Sequence, residues 1–494
     1  MIALEQPEIA APKAVANERR TYLKELLSNQ IWQSANFISK GLLFLLLTPL
    51  MLKRWGADGY GLFGLSSSLL VSMALTDGGV RSLTRIRLTE ALRNNDEAEF
   101  RRALSEGLLT FVAVLGLATI LAAGFAATGW MGILLKLPAG GQLVLVTTVI
   151  LTGISMTTTL ALEPLAARGR LSETKAANTW GAIAALPVCG VAVWFHASIL
   201  TVVILNSLCL IVPNVVLMIN AGIHSQLPSL KGLNCKPSVI FHTLFSGIWY
   251  YATTIAGTVK THGLTFIVSH LAGPAEAGVF YFMLRMTETI GNLGSTASET
   301  SLASLASTKE PAERGEKFHH CWLYVALFCL PGAVIFAFQG NWMLHLWFRH
   351  QDFLWVVGVG MAIFGLAGAF SRVIVNASMG LQLVKTAAIS NLGEATTNIV
   401  CAIIGYKLAG LPGVLIGGCI GALIMLLPAG KIAALCGEKF FGAFVRPLSG
   451  LSLAIALIVI TQAAAIFTNS IIVRFASFAF AGVITLSQWR RLHR

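Results

Sequence analysis

Stretches of about 17 to 25 largely apolar residues recur fourteen times along this 494-residue chain, and that length is what an α-helix needs to cross a bilayer core. Hydrocarbon offers no water to satisfy free backbone groups, so segments of this kind can only be helices. They lie near 26–52, 59–78, 105–128, 141–162, 177–195, 198–219, 242–270, 277–304, 319–339, 354–377, 388–408, 411–430, 447–467 and 470–487. Very short turns join the fifth to the sixth and the thirteenth to the fourteenth, so twelve spans is the alternative count. Charged residues make up 12% of the chain, against about 25% in soluble domains, and hydrophobic residues 55%. The chain reads as an all-α polytopic membrane protein.

The distribution of Lys and Arg orients it. With the N-terminus inside, 25 of them fall in cytoplasmic segments and only four (Lys53, Arg54, Lys136 and Arg349) fall outside, which fixes both termini as cytoplasmic. The net charge of +13 is then mostly a topology signal and calls for no nucleic acid. The first 24 residues are polar and lead into no cleavable signal core, so the first apolar segment is expected to stay as a span. Eight scattered cysteines suggest neither a disulfide framework nor a metal site, and nothing points to a cofactor. The external connections are short; 130–140 and 340–353 carry Trp or Phe beside polar residues, as helices lying in the membrane interface do. Arg81 to Glu106, on the inside, reads as a short surface helix. There is no room for a soluble catalytic domain.

An internal repeat is present. Gly56-Ala-Asp-Gly-Tyr-Gly-Leu-Phe63 follows the first span and Gly273-Pro-Ala-Glu-Ala-Gly-Val-Phe280 the seventh, each with Gly, a second Gly five residues on, an aliphatic residue and Phe. Six spans precede the second copy, so the copies run parallel, and a substrate site is expected between the halves. The chain divides into a cytoplasmic segment (1–25), an N-lobe (26–220), a cytoplasmic linker (221–241), a C-lobe (242–430) and a last pair of spans with the C-terminus (431–494).

Trp55-Gly-Ala-Asp-Gly-Tyr-Gly-Leu-Phe63 and Leu75-Thr-Asp-Gly-Gly-Val-Arg-Ser-Leu-Thr-Arg85, with the loop from Leu92 to Leu109 and the second copy Ala272 to Phe280, resemble the polysaccharide transporter family. That family belongs to a superfamily that also contains multidrug-and-toxin exporters and lipid II flippases. The resemblance implies about 14 helices, with two pseudo-symmetric six-helix bundles around a central cavity and two more helices at the C-terminus. It also implies a flippase for an undecaprenyl-pyrophosphate-linked oligosaccharide such as an O-antigen repeat in a bacterial inner membrane, working by alternating access, coupled to a proton or another ion, and meeting membrane lipids and polysaccharide polymerase and ligase proteins. Export of small drugs is the alternative within the superfamily, and a membrane-embedded polymerase or ligase the alternative outside it. An enzyme of that kind would want a sizeable outer loop with acid and base groups, and the outer loops hold only Asp58, Glu276 and Asp352 as carboxylates.

A pyrophosphate head group needs a cationic, hydrated path, because anions cross hydrocarbon only when paired. Ionisable residues deep in spans are therefore the candidates. Lys40 lies about 14 residues, or roughly 21 Å, into the first helix, and Asn29, Gln33, Asn36 and Lys40 share one helical face, which would line water or protein. Lys260 and His262 point about 200° apart, and the polarity of their faces does not choose between them. Lys260 is favoured for the cavity because an ammonium must find water or a counter-charge, whereas a neutral imidazole can be satisfied by hydroxyls; His262 is either such a donor or a titrating group. Arg285 and Glu288, three apart, either neutralise each other or bind phosphate and exchange a proton. Asp77 and Arg81, four apart, form an ion pair at the inner boundary or a gate contact. Glu299 and Glu394 are placed near inner helix ends, at the lip of the cavity or solvated, and Arg372 close enough to the inner surface to snorkel. Lys407 and Arg474 receive no role, and Gly413, Gly417 and Gly421 mark a close helix contact.

Overall fold

The computed structural model describes residues 12–72, 80–138, 140–168, 170–222, 248–307, 310–348, 356–381, 383–437, 439–444, 446–467 and 470–492. Asp77 lies outside them, as does most of the 221–241 linker, and the side chains of Lys40, Gln33 and Glu299 are likewise not described.

Where described, every one of the fourteen apolar segments falls on helix, and among the described residues there is no strand. The first two spans form one helical run, α1 (Pro12–Ser72), broken at Gly56, whose φ of 69° and ψ of −172° belong to glycine's territory. Trp55, just before the break, donates from Nε1 to the Ala197 carbonyl at 3.3 Å and pins the turn to the outer end of the fifth span. The basic inner loop becomes α2 (Val80–Arg93), after which α3 (Glu97–Ala127) starts two turns ahead of its apolar run. Asp96 caps α3 by accepting from the Glu99 N–H at 2.9 Å. The stretch that opens on Trp130 forms the short α4 (Trp130–Leu135). The N-terminal half is completed by α5 (Gly141–Ala161), α6 (Glu163–Ala167), α7 (Leu171–Trp194) and α8 (Ile199–Asn220).

The seventh span is α9 (Ile248–Thr258), a π-helical turn (Val259–Gly263) and α10 (Leu264–Ala272). Then come α11 (Pro274–Ser307), α12 (Pro311–Trp347), α13 (Val356–Gly380) and α14 (Val384–Ile420), the last broken at Ala409 and Gly410 between the eleventh and twelfth spans. A 3-10 turn and α15 (Leu426–Leu435) finish the twelfth span; the short α16 (Phe440–Phe444) leads to α17 (Ser452–Phe467) and α18 (Ile471–Leu492). Two expectations change. Residues 340–347 continue α12 and do not form a separate interfacial helix, because Trp342 and Trp347 find ring partners in Phe478 and Phe282. Glu394 sits ten residues into a helix that begins at Val384 and is buried, so it is neither at a helix end nor solvated.

Seven of the described helical stretches are long and apolar enough to cross a membrane by length and composition, one of them the doubled run Val384–Leu435. Large apolar side chains lie on the outside, Leu117, Ile120 and Leu121 of α3 among them, while Tyr60, Leu65, Phe280 and Phe282 are fully buried where the halves meet. This inversion is what a hydrocarbon solvent asks for, and the chain is a multi-pass membrane protein. The Gly413, Gly417 and Gly421 row does bring helices together: a Cβ on each would lie 1.9 to 2.4 Å from backbone oxygens or carbons of Gly405, Cys401 and Glu394. Helices α17 and α18 pack on α12, where Arg474 donates to Gln339 Oε1 at 3.0 Å and lies over the Trp342 ring, a structural use of that arginine.

Candidate functional site

A cavity of about 420 Å³ lies between the halves. Both arms of α1 with α7 and α8 form one wall, and α11 and α12 the other. Most of the wall is apolar, from residues such as Phe44, Leu47, Met51, Phe63 and Phe336. Its charged members among the described residues are Arg285 and Glu288. Gly41 also lines it, so the backbone brings Lys40 to its edge.

The end of the bundle that carries Gly56, α4 and Gly273 is closed by three sets of contacts. The two copies of the sequence repeat meet there: Gly61 abuts Pro274, where a Cβ would fall 1.6 Å from the Pro274 carbonyl oxygen, and a Cβ on Gly278 would lie 2.9 Å from Gly61 Cα. Below them Phe44, Tyr281, Phe282, Trp347 and Phe348 stack with centroids 5.0 to 5.7 Å apart. Finally, α4 of the N-terminal half is tied to the end of α10. Ser269 Oγ donates to the Leu135 carbonyl at 2.7 Å, His270 Nδ1 bonds the Leu134 carbonyl at 2.7 Å, and Lys136 Nζ donates to the Leu271 carbonyl at 2.9 Å.

Two polar clusters sit well inside their helices, Lys260 about 18 Å from the Ala272 end of its span and Arg285 about 17 Å from the Pro274 end of α11. In the first, Lys260 Nζ donates to Glu394 Oε2 at 2.7 Å, to Asn391 Oδ1 at 3.0 Å and to Ser371 Oγ at 2.5 Å. Ser371 itself donates to Glu394 Oε2 at 2.6 Å, and Asn391 Nδ2 donates to the Thr253 carbonyl at 2.8 Å, which locks the acceptor in place. Lys260 is 7% and Glu394 2% exposed, and neither is among the residues that line the cavity. The favoured cavity lysine thus spends its charge on a counter-ion inside the C-terminal half.

In the second, the Glu288 carboxylate is shared. Oε1 lies 3.0 Å from His262 Nε2 and Oε2 accepts from Arg285 Nη1 at 3.0 Å. Arg285 Nε donates to the Tyr281 hydroxyl at 2.9 Å, with the guanidinium 5.1 Å from that ring's centroid. Arg285 keeps 28% of its side chain open to the cavity, whereas Glu288 keeps 9% and His262 4%. Lys260 and His262, two residues apart and on opposite sides of the helix, each reach a different carboxylate on a different helix from a π-helical turn, a geometry that recurs at functional sites. His262, passed over in favour of Lys260, is therefore the one connected to the cavity wall.

The other expected residues divide as follows. Asn36 lies partly buried on α1, its Oδ1 without a hydrogen-bond partner. Arg81 reaches Glu163 at the end of the fourth span, as does Arg85, whose Nε and Nη2 lie 2.6 and 3.0 Å from that carboxylate. Glu163 is 1% exposed, so α2 is clamped to the end of the fourth span through a residue that sequence reading missed. Ser371, Asn391 and Tyr281 were missed as well. One signal was available: Asn391, Glu394 and Asn398 stand three and four apart, a polar stripe on an otherwise apolar helix.

No family model and no curated protein sequence matches the chain. Solved structures do. The lipid II flippase MurJ in an inward closed conformation superposes with a TM-score of 0.66 at 14% identity, over 94% of this chain and 100% of that one. The MATE multidrug transporter DinF-BH gives 0.62 at 14%, over 89% and 100%. An inward-facing multidrug resistance MATE family transporter of the MOP superfamily gives 0.58 at 13%, over 82% and 99%. The chain has the MurJ and MATE fold.

Proposed function

We propose that the protein is a flippase that carries an anionic lipid-linked oligosaccharide, of the undecaprenyl-pyrophosphate type, across a bacterial inner membrane by alternating access. Arg285 carries this reading: a partly open guanidinium at mid-membrane depth on a cavity wall that is otherwise mostly apolar. An amphiphile with an anionic head and a hydrocarbon tail matches both parts of that wall, and a planar guanidinium suits phosphate. The flippase and transporter activities of the proteins that share the fold point the same way. At about 420 Å³ the cavity has the size of a small-ligand site, so an oligosaccharide enters as the lobes part on the inner side. An inside-negative potential assists export by about 2.3 kcal/mol per net negative charge per 100 mV. Polymerase and ligase proteins would take up the delivered substrate on the outer face.

The net charge of the wall is smaller than sequence suggested, since Glu288 neutralises Arg285 and Glu394 holds Lys260. Among the described residues the wall is largely apolar with Arg285 and Glu288 as its one pair of opposite charges, which favours a second reading, export of small amphipathic compounds. Reconstitution separates the two. Proteoliposomes containing the protein should flip a fluorescent polyprenyl-pyrophosphate oligosaccharide, and Arg285→Ala should slow this by at least roughly tenfold, the loss of one charge-assisted contact, while Arg285→Lys keeps part of the rate. Flipping that is indifferent to Arg285→Ala, together with drug resistance conferred on a sensitive strain, would replace this reading by the second.

A further inference from the structure

We infer that Glu288 is an internal stand-in for the substrate's anion, and that protonation of His262 draws it off Arg285, so that binding of an anionic phosphate group at the cavity is linked to uptake of one proton. The inference rests on the proposed function, in that it assigns an anion to Arg285.

The geometry is a carboxylate held between two claimants. Oε2 occupies Arg285 Nη1 and Oε1 faces His262 Nε2, each at 3.0 Å. Any anion arriving from the cavity must compete with Glu288 for the guanidinium, and a displaced carboxylate left alone near mid-membrane would be costly. His262 is the group that can receive it. With the imidazole neutral, Nε2–H donates to Glu288 and Nδ1 presents a lone pair; that atom is buried and has no hydrogen-bond partner, and neither has the hydroxyl of Thr265, three residues along the same helix. A proton added at Nδ1 makes the ring an imidazolium beside a carboxylate already in contact. The +1 of His262 then balances the −1 of Glu288, and the +1 of Arg285 is left for the incoming phosphate. When the anion leaves, Arg285 reclaims Glu288 and the proton departs from Nδ1. No bond other than N–H and hydrogen bonds is made or broken.

The charges around the three residues are as follows, with Arg372 acting on Glu288 from outside the exchange. On α11, Glu288 meets Arg285, with the Tyr281 hydroxyl held by Arg285 Nε. The π turn contributes His262, while its other cation, Lys260, is turned to Glu394, Asn391 and Ser371. From α13, Arg372 approaches α11 at Gly291, one turn inward of Glu288, and acts on both clusters as a fixed positive charge. α1 brings Thr48 and Tyr60, bonded to each other.

The test uses detergent-purified full-length protein and farnesyl pyrophosphate as a short anionic amphiphile, with binding measured by calorimetry from roughly pH 8 to 5, the window in which an unperturbed histidine changes charge. Wild-type affinity should rise as pH falls, by roughly threefold to tenfold over the range for one linked proton. The probe's own phosphate loses charge in the same direction, so its chemistry works against that trend. Buffers of different ionisation enthalpy should report proton uptake on binding. His262→Gln should abolish both the slope and the uptake, and Glu288→Gln should bind more tightly than wild type at high pH with no slope. Size-exclusion monodispersity qualifies each variant, and either one alone suffices. Binding that depends on Arg285 but is flat with pH, or a slope that survives in His262→Gln, would overturn the inference and leave the flippase reading standing. Failure to bind at any pH, with Arg285→Ala indistinguishable from wild type, would overturn both.

Discussion

Glu394→Leu should lower the stability of the protein by about 3 to 5 kcal/mol, the cost of stripping a buried ion pair of one member. Lys260 Nζ would keep Ser371 and Asn391 as acceptors and lose the carboxylate that faces it at 2.7 Å, leaving an ammonium at a depth where insertion of an unpaired lysine alone costs about 2.5 to 3.5 kcal/mol. The expected readout is a fall in the thermal unfolding midpoint in detergent and a drop in membrane yield. The double variant Lys260→Met with Glu394→Leu removes both charges while roughly keeping volume, and should recover most of the loss, because replacing a buried pair by apolar residues is often neutral or better. A double variant as unstable as the single one would show that the Ser371 and Asn391 contacts, and not charge pairing, hold the cluster together.

Gly61→Val should open the outer side. The new Cβ would fall 1.6 Å from the Pro274 carbonyl oxygen and 2.3 Å from its carbon, both backbone atoms that cannot rotate away. The first turn of α11 and the second arm of α1 must then part by about 2 Å, given the usual closest approach of non-bonded atoms. Because packed interfaces switch between discrete arrangements and do not stretch smoothly, the expected result is a shift toward an outward-open state with the lobes themselves intact. Thr289→Cys, in the cavity wall, can report it in a background freed of native cysteines. An impermeant maleimide added outside should label it at least several-fold faster in Gly61→Val than in the parent, with transport lost. Unchanged labelling in a well-folded variant would show that the glycine contact is not part of the outer closure.

The fold was legible because the bilayer imposes it. The apolar segments that hydropathy marked fall on helix where they are described, including the pairs 26–52 with 59–78 and 388–408 with 411–430 that share continuous helical runs. The repeat pointed at Gly61 and Gly278, although nothing in their spacing said that the two would touch. The site was legible only in its membership. Lys260, His262, Arg285, Glu288 and Glu394 were all picked out as costly charges, yet their pairing was not, since Lys260 and Glu394 are 134 residues apart and helix phase gives a direction without a partner. Helix phase did put Lys260 and His262 on opposite sides, but it offered no ground for choosing which of them meets the cavity wall. Glu394 was misjudged in depth because its helix starts before the hydropathy rises.

Gly61 and Gly278 hold the same place in the two copies of the repeat and lie in contact, so that contact straddles the axis relating the copies. Were each half a separate polypeptide, the pair would assemble as a homodimer in which this glycine faced its own twin, and every change there would be felt twice. Joining the halves in one chain lifts that constraint. One copy is free to carry Asp58 and Tyr60 and the other Pro274 and Glu276, and a charge relay such as His262, Glu288 and Arg285 can arise on one side alone, with no mirror image required across the cavity.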